Sequence, residues 1–101
     1  MTTHVGRKVA LVLMKSDEAD ATIDMLERER PDVEVTDKGT YWHIAADDEI
    51  VVPMDKVGQE LGRPIALSQW LVVMSTFVGR AAPGPDYFRV TSKMVDLEAG
   101  A

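Results

Sequence analysis

Residues 8–31 read KVALVLMKSDEADATIDMLERERP, and they predict how the fold begins. Residues 8–14 are apolar on both alternating faces, which is typical of a strand in the interior of a sheet. Ser16 or Asp17 can cap a following helix, in which apolar residues recur at helical spacing. Pro31 ends this helix, because proline disfavours helical backbone in the residue before it. The chain therefore opens with a strand and an amphipathic helix.

Strand patterns continue beyond this helix. Residues 33–37 and 40–46 predict two strands of a hairpin. The turn falls at Lys38 and Gly39, because glycine accepts the positive φ that a tight turn needs. Residues 49–52 predict a further short strand. The first half thus reads β-α-β-β, and the second half starts with its own strand.

Two short helices are predicted next. Asp55 can cap the first of them, and Gly62 fits its end, because glycine readily takes the left-handed conformation there. Pro64 prevents this helix from continuing. Ser68 can cap the second helix, which covers residues 69–74.

Residues 76–80 and 86–94 predict two closing strands joined by a loop rich in proline and glycine. The complete order, β-α-β-β then β-α-α-β-β, predicts a single compact α+β domain with mixed sheets packed with about three helices. One or two of its strand pairs could be parallel through helical crossovers. We expect the domain to cover residues 8–95, between a flexible N-terminal arm, residues 1–7, and a flexible C-terminal tail, residues 96–101.

The composition excludes several classes of protein. With 101 residues, 46% hydrophobic and 28% charged, the chain has the composition of one globular domain. It has no cysteine, which excludes disulfides and metal sites built on thiolates. Its net charge of −6 disfavours nucleic acid as a partner. No segment approaches the roughly 20 apolar residues that cross a bilayer, so we expect a cytoplasmic protein without membrane contact.

The sequence contains no recognisable catalytic or cofactor motif. The two histidines, His4 and His43, have no second ligand at metal-binding spacing. Gly58 and Gly62 are not followed by the lysine of a phosphate loop, and no serine lies in a Gly-x-Ser-x-Gly elbow. We therefore expect no metal, no cofactor and no catalysis by the chain alone. Docking on a partner protein becomes the favoured kind of function.

Residues 67–80, LSQWLVVMSTFVGR, carry a resemblance to a known family, together with the element order and the opening KVALVLMKSDEAD. Over about residues 9–94 the chain resembles the small effector, or coupling, proteins of bacterial multicomponent di-iron monooxygenases, the MmoB/DmpM family. The family also covers the propane type, and the short arm suits the phenol, toluene and alkene types better than the methane type.

The resemblance implies a cofactor-free, non-catalytic protein, monomeric when free, that binds the hydroxylase component of a di-iron monooxygenase. Such a protein tunes oxygen activation, electron coupling and substrate selectivity in the oxidation of hydrocarbons or aromatics. The resemblance transfers no catalytic residue, because the family has none.

Five residues are candidates for the partner interface. Gly79, Arg80, Pro83 and Gly84 place irregular backbone beside a guanidinium group, and Trp42 could present an aromatic ring. The sequence leaves open whether Trp42 belongs to the core or to the interface. Two other functions also stay open, a ferredoxin-like regulatory domain that binds a small ligand and a cofactor-free enzyme with a carboxylate in its core.

Overall fold

The structure, a computed structural model, describes residues 8–92. The predicted arm, residues 1–7, and tail, residues 96–101, lie outside the described residues. Seven strands and three helices follow one another within the described part. They are β1 (Val9–Met14), α1 (Asp17–Glu29), β2 (Glu34–Asp37), β3 (Tyr41–Ala46), β4 (Glu49–Pro53), α2 (Met54–Leu61), α3 (Leu67–Val73), β5 (Met74–Val78), β6 (Arg80–Ala81) and β7 (Tyr87–Thr91).

The strands form two sheets. The first sheet has the order β2-β3-β1-β5 and the second sheet has the order β4-β7-β6. All strand pairs in the part described are antiparallel. Helix α1 does connect β1 to β2, but β3 lies between these two strands, so they are not neighbours. The predicted α+β architecture is confirmed, while the parallel pairs considered from sequence are absent from residues 8–92.

Helix α1 begins as its sequence predicts. The Ser16 side chain accepts a hydrogen bond of 3.0 Å from the Ala19 backbone N–H, which satisfies one free donor of the first turn. Acidic side chains at Asp17, Glu18 and Asp20 follow in that turn, where the helix dipole favours negative charge.

The predicted caps of the other two helices are wrong. Helix α2 starts after Pro53, so Asp55 lies inside its first turn. Helix α3 starts after Ala66, whose N–H donates to Gln69 Oε1 at 2.9 Å, and Ser68 lies inside that helix. Both helices start early because their first residues, Met54 and Leu67, are apolar and pack against the core.

The core lies where α1, α2 and α3 meet the two sheets. Trp70 of α3 is its largest fully buried side chain. Its ring lies 5.5 Å from that of Phe88, and the Phe88 ring lies 5.8 Å from that of Phe77. This aromatic row joins α3, β7 and β5, so it fixes β5 against both the helix layer and the second sheet.

Gly79 marks the passage from one sheet to the other. The sequence predicts one strand over residues 76–80, but β5 ends in the first sheet and β6 begins in the second. Between them Gly79 has a φ of 126°. A Cβ atom there would lie 2.8 Å from Val90 Cγ2 and 3.0 Å from Val9 Cγ1, so only glycine fits this crossing.

Candidate functional site

The first sheet has a core face and an outer face, which the strand register separates. Leu11 is fully buried and lies opposite Ile44 and Phe77, so these three side chains belong to the core face. The alternate residues form the outer face. The outer face comprises Ala10, Val12 and Met14 of β1, Tyr41, His43 and Ala45 of β3, Glu34 and Thr36 of β2, and Thr76 and Val78 of β5.

This outer face is partly open and almost uncharged, although Ala10 and Ala45 are buried within it. Met14 is 45% exposed and Val78 is 60% exposed, while Val12 and His43 are half-buried. Glu34 is the one charged residue of the set. A sheet side that faces water normally carries many polar and charged residues. The composition of the outer face therefore fits a surface that contacts another protein.

The edge of the same sheet extends this apolar character. Strand β5 pairs with β1 on one side, and its other edge has no partner strand in residues 8–92. Leu71 and Val72, at the end of α3, are 37% and 82% exposed. We call the outer face, Leu71, Val72 and the free edge of β5 the apolar surface.

Sequence reasoning missed most of the apolar surface, although one signal was present. Residues 64–79 contain no charged side chain, in a chain where charged residues make up 28%. An uncharged run of this length that is only partly buried indicates a contact surface.

Four of the five predicted interface residues follow the free edge of β5 along the chain. Gly79 connects β5 to β6, Arg80 is the first residue of β6, and Pro83 and Gly84 belong to the loop between β6 and β7. The Gly84 N–H donates to the Tyr87 carbonyl at 2.9 Å, which closes this loop. Arg80 and Pro83 are exposed. Gly79 and Arg80 thus border the free edge of β5, whereas Pro83 and Gly84 lie at the other end of the β6–β7 hairpin.

Trp42 and Gly79 lie at opposite ends of β1, because Trp42 faces Leu13 while Gly79 lies beside Val9. The pairing with Leu13 puts the Trp42 ring on the core face, at the sheet's α1 side. Its indole Nε1 donates to Asp20 Oδ1 at 3.3 Å, and Lys15 Nζ lies 4.5 Å from the ring centroid. Trp42 is half-buried. Its contact with a partner stays a prediction, separate from the other four residues.

The perturbed carboxyl groups in the described part belong to ion pairs. Hydrogen bonding from the backbone at the start of α1, and from Arg63, holds the pKa of the Glu18 carboxyl below its usual range. Lys15, and then the Gly39 N–H, lower the pKa of the Asp37 carboxyl. Both shifts favour the ionised form, whereas a general acid at neutral pH needs a raised pKa.

The described part of the chain also has surface grooves. A groove of about 430 Å³ runs along α2 and the segment after it, between Met54 and Ile65.

No group of three or more His, Asp or Glu side chains in residues 8–92 could hold a metal ion. No helix within the same residues is long and apolar enough to cross a membrane.

Comparison with known proteins gives consistent matches. The profile of the MmoB/DmpM family matches residues 7–91. Methane monooxygenase regulatory protein B of Methylosinus trichosporium is 36% identical over 100 residues, which cover 94% of this chain and 72% of that protein. The protein of the same name from Methylococcus capsulatus is 35% identical over 101 residues, again covering 94% of this chain and 72% of that protein.

Solved structures agree with these sequence matches. A chain from the complex of phenol hydroxylase with its regulatory protein matches with a TM-score of 0.73 at 19% identity, over 82% of this chain and 95% of that one. The structure of the soluble methane monooxygenase regulatory protein B matches with a TM-score of 0.66 at 32% identity, over 90% of this chain and 70% of that one.

Proposed function

The chain belongs to the MmoB/DmpM family, and from this membership we propose that it is the regulatory, non-catalytic component of a multicomponent monooxygenase, which acts by binding the di-iron hydroxylase component. Its curated relatives are named regulatory proteins of methane monooxygenase. A structural neighbour comes from a complex between a hydroxylase and its regulatory protein. Family membership favours this function over a ferredoxin-like domain for small ligands.

The observation that carries the proposal is the apolar surface. A specific interface usually buries about 600–1,000 Å² on each partner. The outer face of a four-stranded sheet of this length covers only about 20 × 20 Å. Docking therefore needs more than that face, and we assign the remainder to Leu71, Val72, the free edge of β5 and the segment after it, with Gly79, Arg80, Pro83 and Gly84.

Docking would regulate the hydroxylase by shifting its conformational equilibrium. A bound protein favours one conformation only by as much as it binds that conformation more tightly. Reversing a ratio of 1:99 takes about 5.5 kcal/mol of differential binding, and smaller differences still change rates. We propose that this shift tunes oxygen activation, electron coupling and substrate selectivity in the hydroxylase. The substrate, hydrocarbon or aromatic, and a cytoplasmic location stay predictions.

Reconstitution tests the proposed function. The pure chain is added to the hydroxylase and reductase encoded beside its gene, and product formed per NADH consumed is measured together with hydroxylase affinity. We expect saturable binding and a rise in coupled product formation. Absence of both effects with every neighbouring di-iron hydroxylase would overturn the proposal.

A second experiment tests the apolar surface. The double variant Val72→Thr/Val78→Thr keeps the side-chain shapes but makes two exposed positions polar. We expect at least a tenfold loss of hydroxylase affinity, because two apolar groups then lose their burial energy on docking. Val51→Thr, a half-buried valine on β4 in the second sheet, is the matched control and should leave affinity unchanged. Equal affinities for both variants would remove the apolar surface from the interface.

A further inference from the structure

Arg80 differs from the other arginines of the described part. Four of the five arginines in residues 8–92 form ion pairs with carboxylates. The pairs are Arg28–Glu60, Arg30–Asp32, Arg63–Glu18 and Arg89–Glu49. Arg80 has no ion pair and its side chain makes no hydrogen bond to any residue in that range, and it is exposed. Its guanidinium group is therefore available to a partner.

A shortage of carboxylates does not explain the free guanidinium. The chain has 17 acidic residues against 11 lysines and arginines. In the second sheet Arg80 and Glu49 lie on opposite sides of Thr91, two strand spacings apart, or about 10 Å. Glu49 is already paired, because its Oε1 accepts a hydrogen bond of 3.0 Å from Arg89 Nε and lies 2.9 Å from Arg89 Nη2 in an ion pair.

The backbone of Arg80 is held in place. Arg80 pairs with Thr91 in the β6–β7 ladder, and the Ala82 N–H donates to the Arg89 carbonyl at 2.7 Å. Gly79, a position where only glycine fits, fixes the direction in which β6 leaves the first sheet. Docking then has to order only the side chain of Arg80, which reduces the entropy lost on binding.

We propose that Arg80 is the polar anchor of the docking interface and binds a carboxylate of the hydroxylase at the border of an apolar contact. This inference rests on the proposed function. The planar guanidinium group binds carboxylate with two parallel hydrogen bonds, and this geometry fixes the orientation of the bound partner. The net charge of −6 disfavours a polyanion at the same place, so a protein carboxylate is the matching ligand.

The test compares Arg80→Gln with Lys38→Gln. Both variants lose one positive charge, but Lys38 lies in the turn between β2 and β3. We expect Arg80→Gln to weaken hydroxylase affinity at least tenfold and Lys38→Gln to change it less than twofold. Arg80→Lys should recover only part of the loss, because an ammonium group lacks the two-pronged geometry. Thermal unfolding confirms that each variant is folded.

A double-mutant cycle then identifies the partner group. Each carboxylate of the hydroxylase interface is changed in turn to the corresponding amide. For the carboxylate that pairs with Arg80, the amide variant should bind Arg80→Gln no more weakly than the wild-type hydroxylase does. If Arg80→Gln binds like the wild type while Val72→Thr/Val78→Thr binds weakly, the anchor is overturned and the proposed function stands. If the wild-type chain binds no neighbouring hydroxylase, the proposed function itself is overturned.

Discussion

The indole Nε1 of Trp70 donates a hydrogen bond of 3.0 Å to the Thr22 hydroxyl, and both side chains are fully buried. The Thr22 hydroxyl in turn donates to the Glu18 carbonyl at 2.8 Å. This chain of hydrogen bonds links α3 to α1. Because α3 leads directly into β5, the bond also determines where the apolar surface lies on the core.

Thr22→Val should lower the free energy of unfolding by about 1–3 kcal/mol. The substitution keeps the side-chain shape but leaves the Trp70 N–H buried without an acceptor. Urea denaturation at neutral pH measures the change. Thr40→Val is the matched control, since Thr40 is exposed between β2 and β3, and it should change stability by less than about 0.5 kcal/mol. Equal stability of the two variants would contradict the role of the hydrogen bond.

Gly79→Ala should be more costly than Gly39→Ala. Both glycines have positive φ, 126° and 93°, so alanine at either position strains the backbone by about 1–2 kcal/mol. A Cβ at Gly39 meets nothing within 4 Å, whereas one at Gly79 overlaps Val90 and Val9. Overpacking adds a further 1–3 kcal/mol or so at Gly79. Denaturation curves of the two variants measure the difference, and equal midpoints would contradict it.

Local signals explain which parts of the fold could be predicted from sequence. The Ser16 cap, the turn at Gly39 and the left-handed end of α2 at Gly62 each depend on a few adjacent residues, and the structure confirms all three. The break at Gly79 could not be predicted in this way. It depends on contacts with Val9 of β1 and Val90 of β7, two strands that belong to different sheets.

The same distinction between local and register-dependent features holds for the candidate site. The loop chemistry led to the prediction of Gly79, Arg80, Pro83 and Gly84 as interface residues, and their contact with a partner stays a prediction. The outer face was missed, because its residues alternate with core residues and become a face only when the register of β1, β3 and β5 is known. Single-residue patterns do not contain that register. The pairing of Glu49 with Arg89, which leaves Arg80 as the unpaired arginine of the second sheet, likewise depends on strand register.

Trp42→Ala should lower the free energy of unfolding by about 1.5–2.5 kcal/mol, roughly half the usual cost for a fully buried tryptophan. The ring is half-buried and connects Asp20 of α1 with Lys15. Chemical denaturation measures this cost, and hydroxylase affinity is then compared with the wild type at a temperature where the variant is folded. A loss of affinity confirms the interface role predicted for Trp42, and unchanged affinity contradicts it.

Acid should weaken the fold through two carboxylates whose pKa values are lowered in the folded chain. Backbone hydrogen bonding and Arg63 lower the pKa of Glu18, and Lys15 with the Gly39 N–H lowers that of Asp37. A folded-state pKa below the unfolded one stabilises the fold above the unfolded pKa, and this stabilisation is lost as pH falls through the folded pKa.

The free energy of unfolding should therefore be constant near neutrality and decrease below about pH 4. The double variant Glu18→Gln/Asp37→Asn lacks both titrating groups, so its stability should be lower at pH 7 and decrease less between pH 5 and pH 3. Both carboxylates are partly exposed, so 0.5 M salt should reduce the difference in stability between the two proteins. At that salt concentration the Debye screening length is only about 4 Å. Parallel pH curves for the wild type and the double variant would show that these ion pairs do not contribute to acid sensitivity.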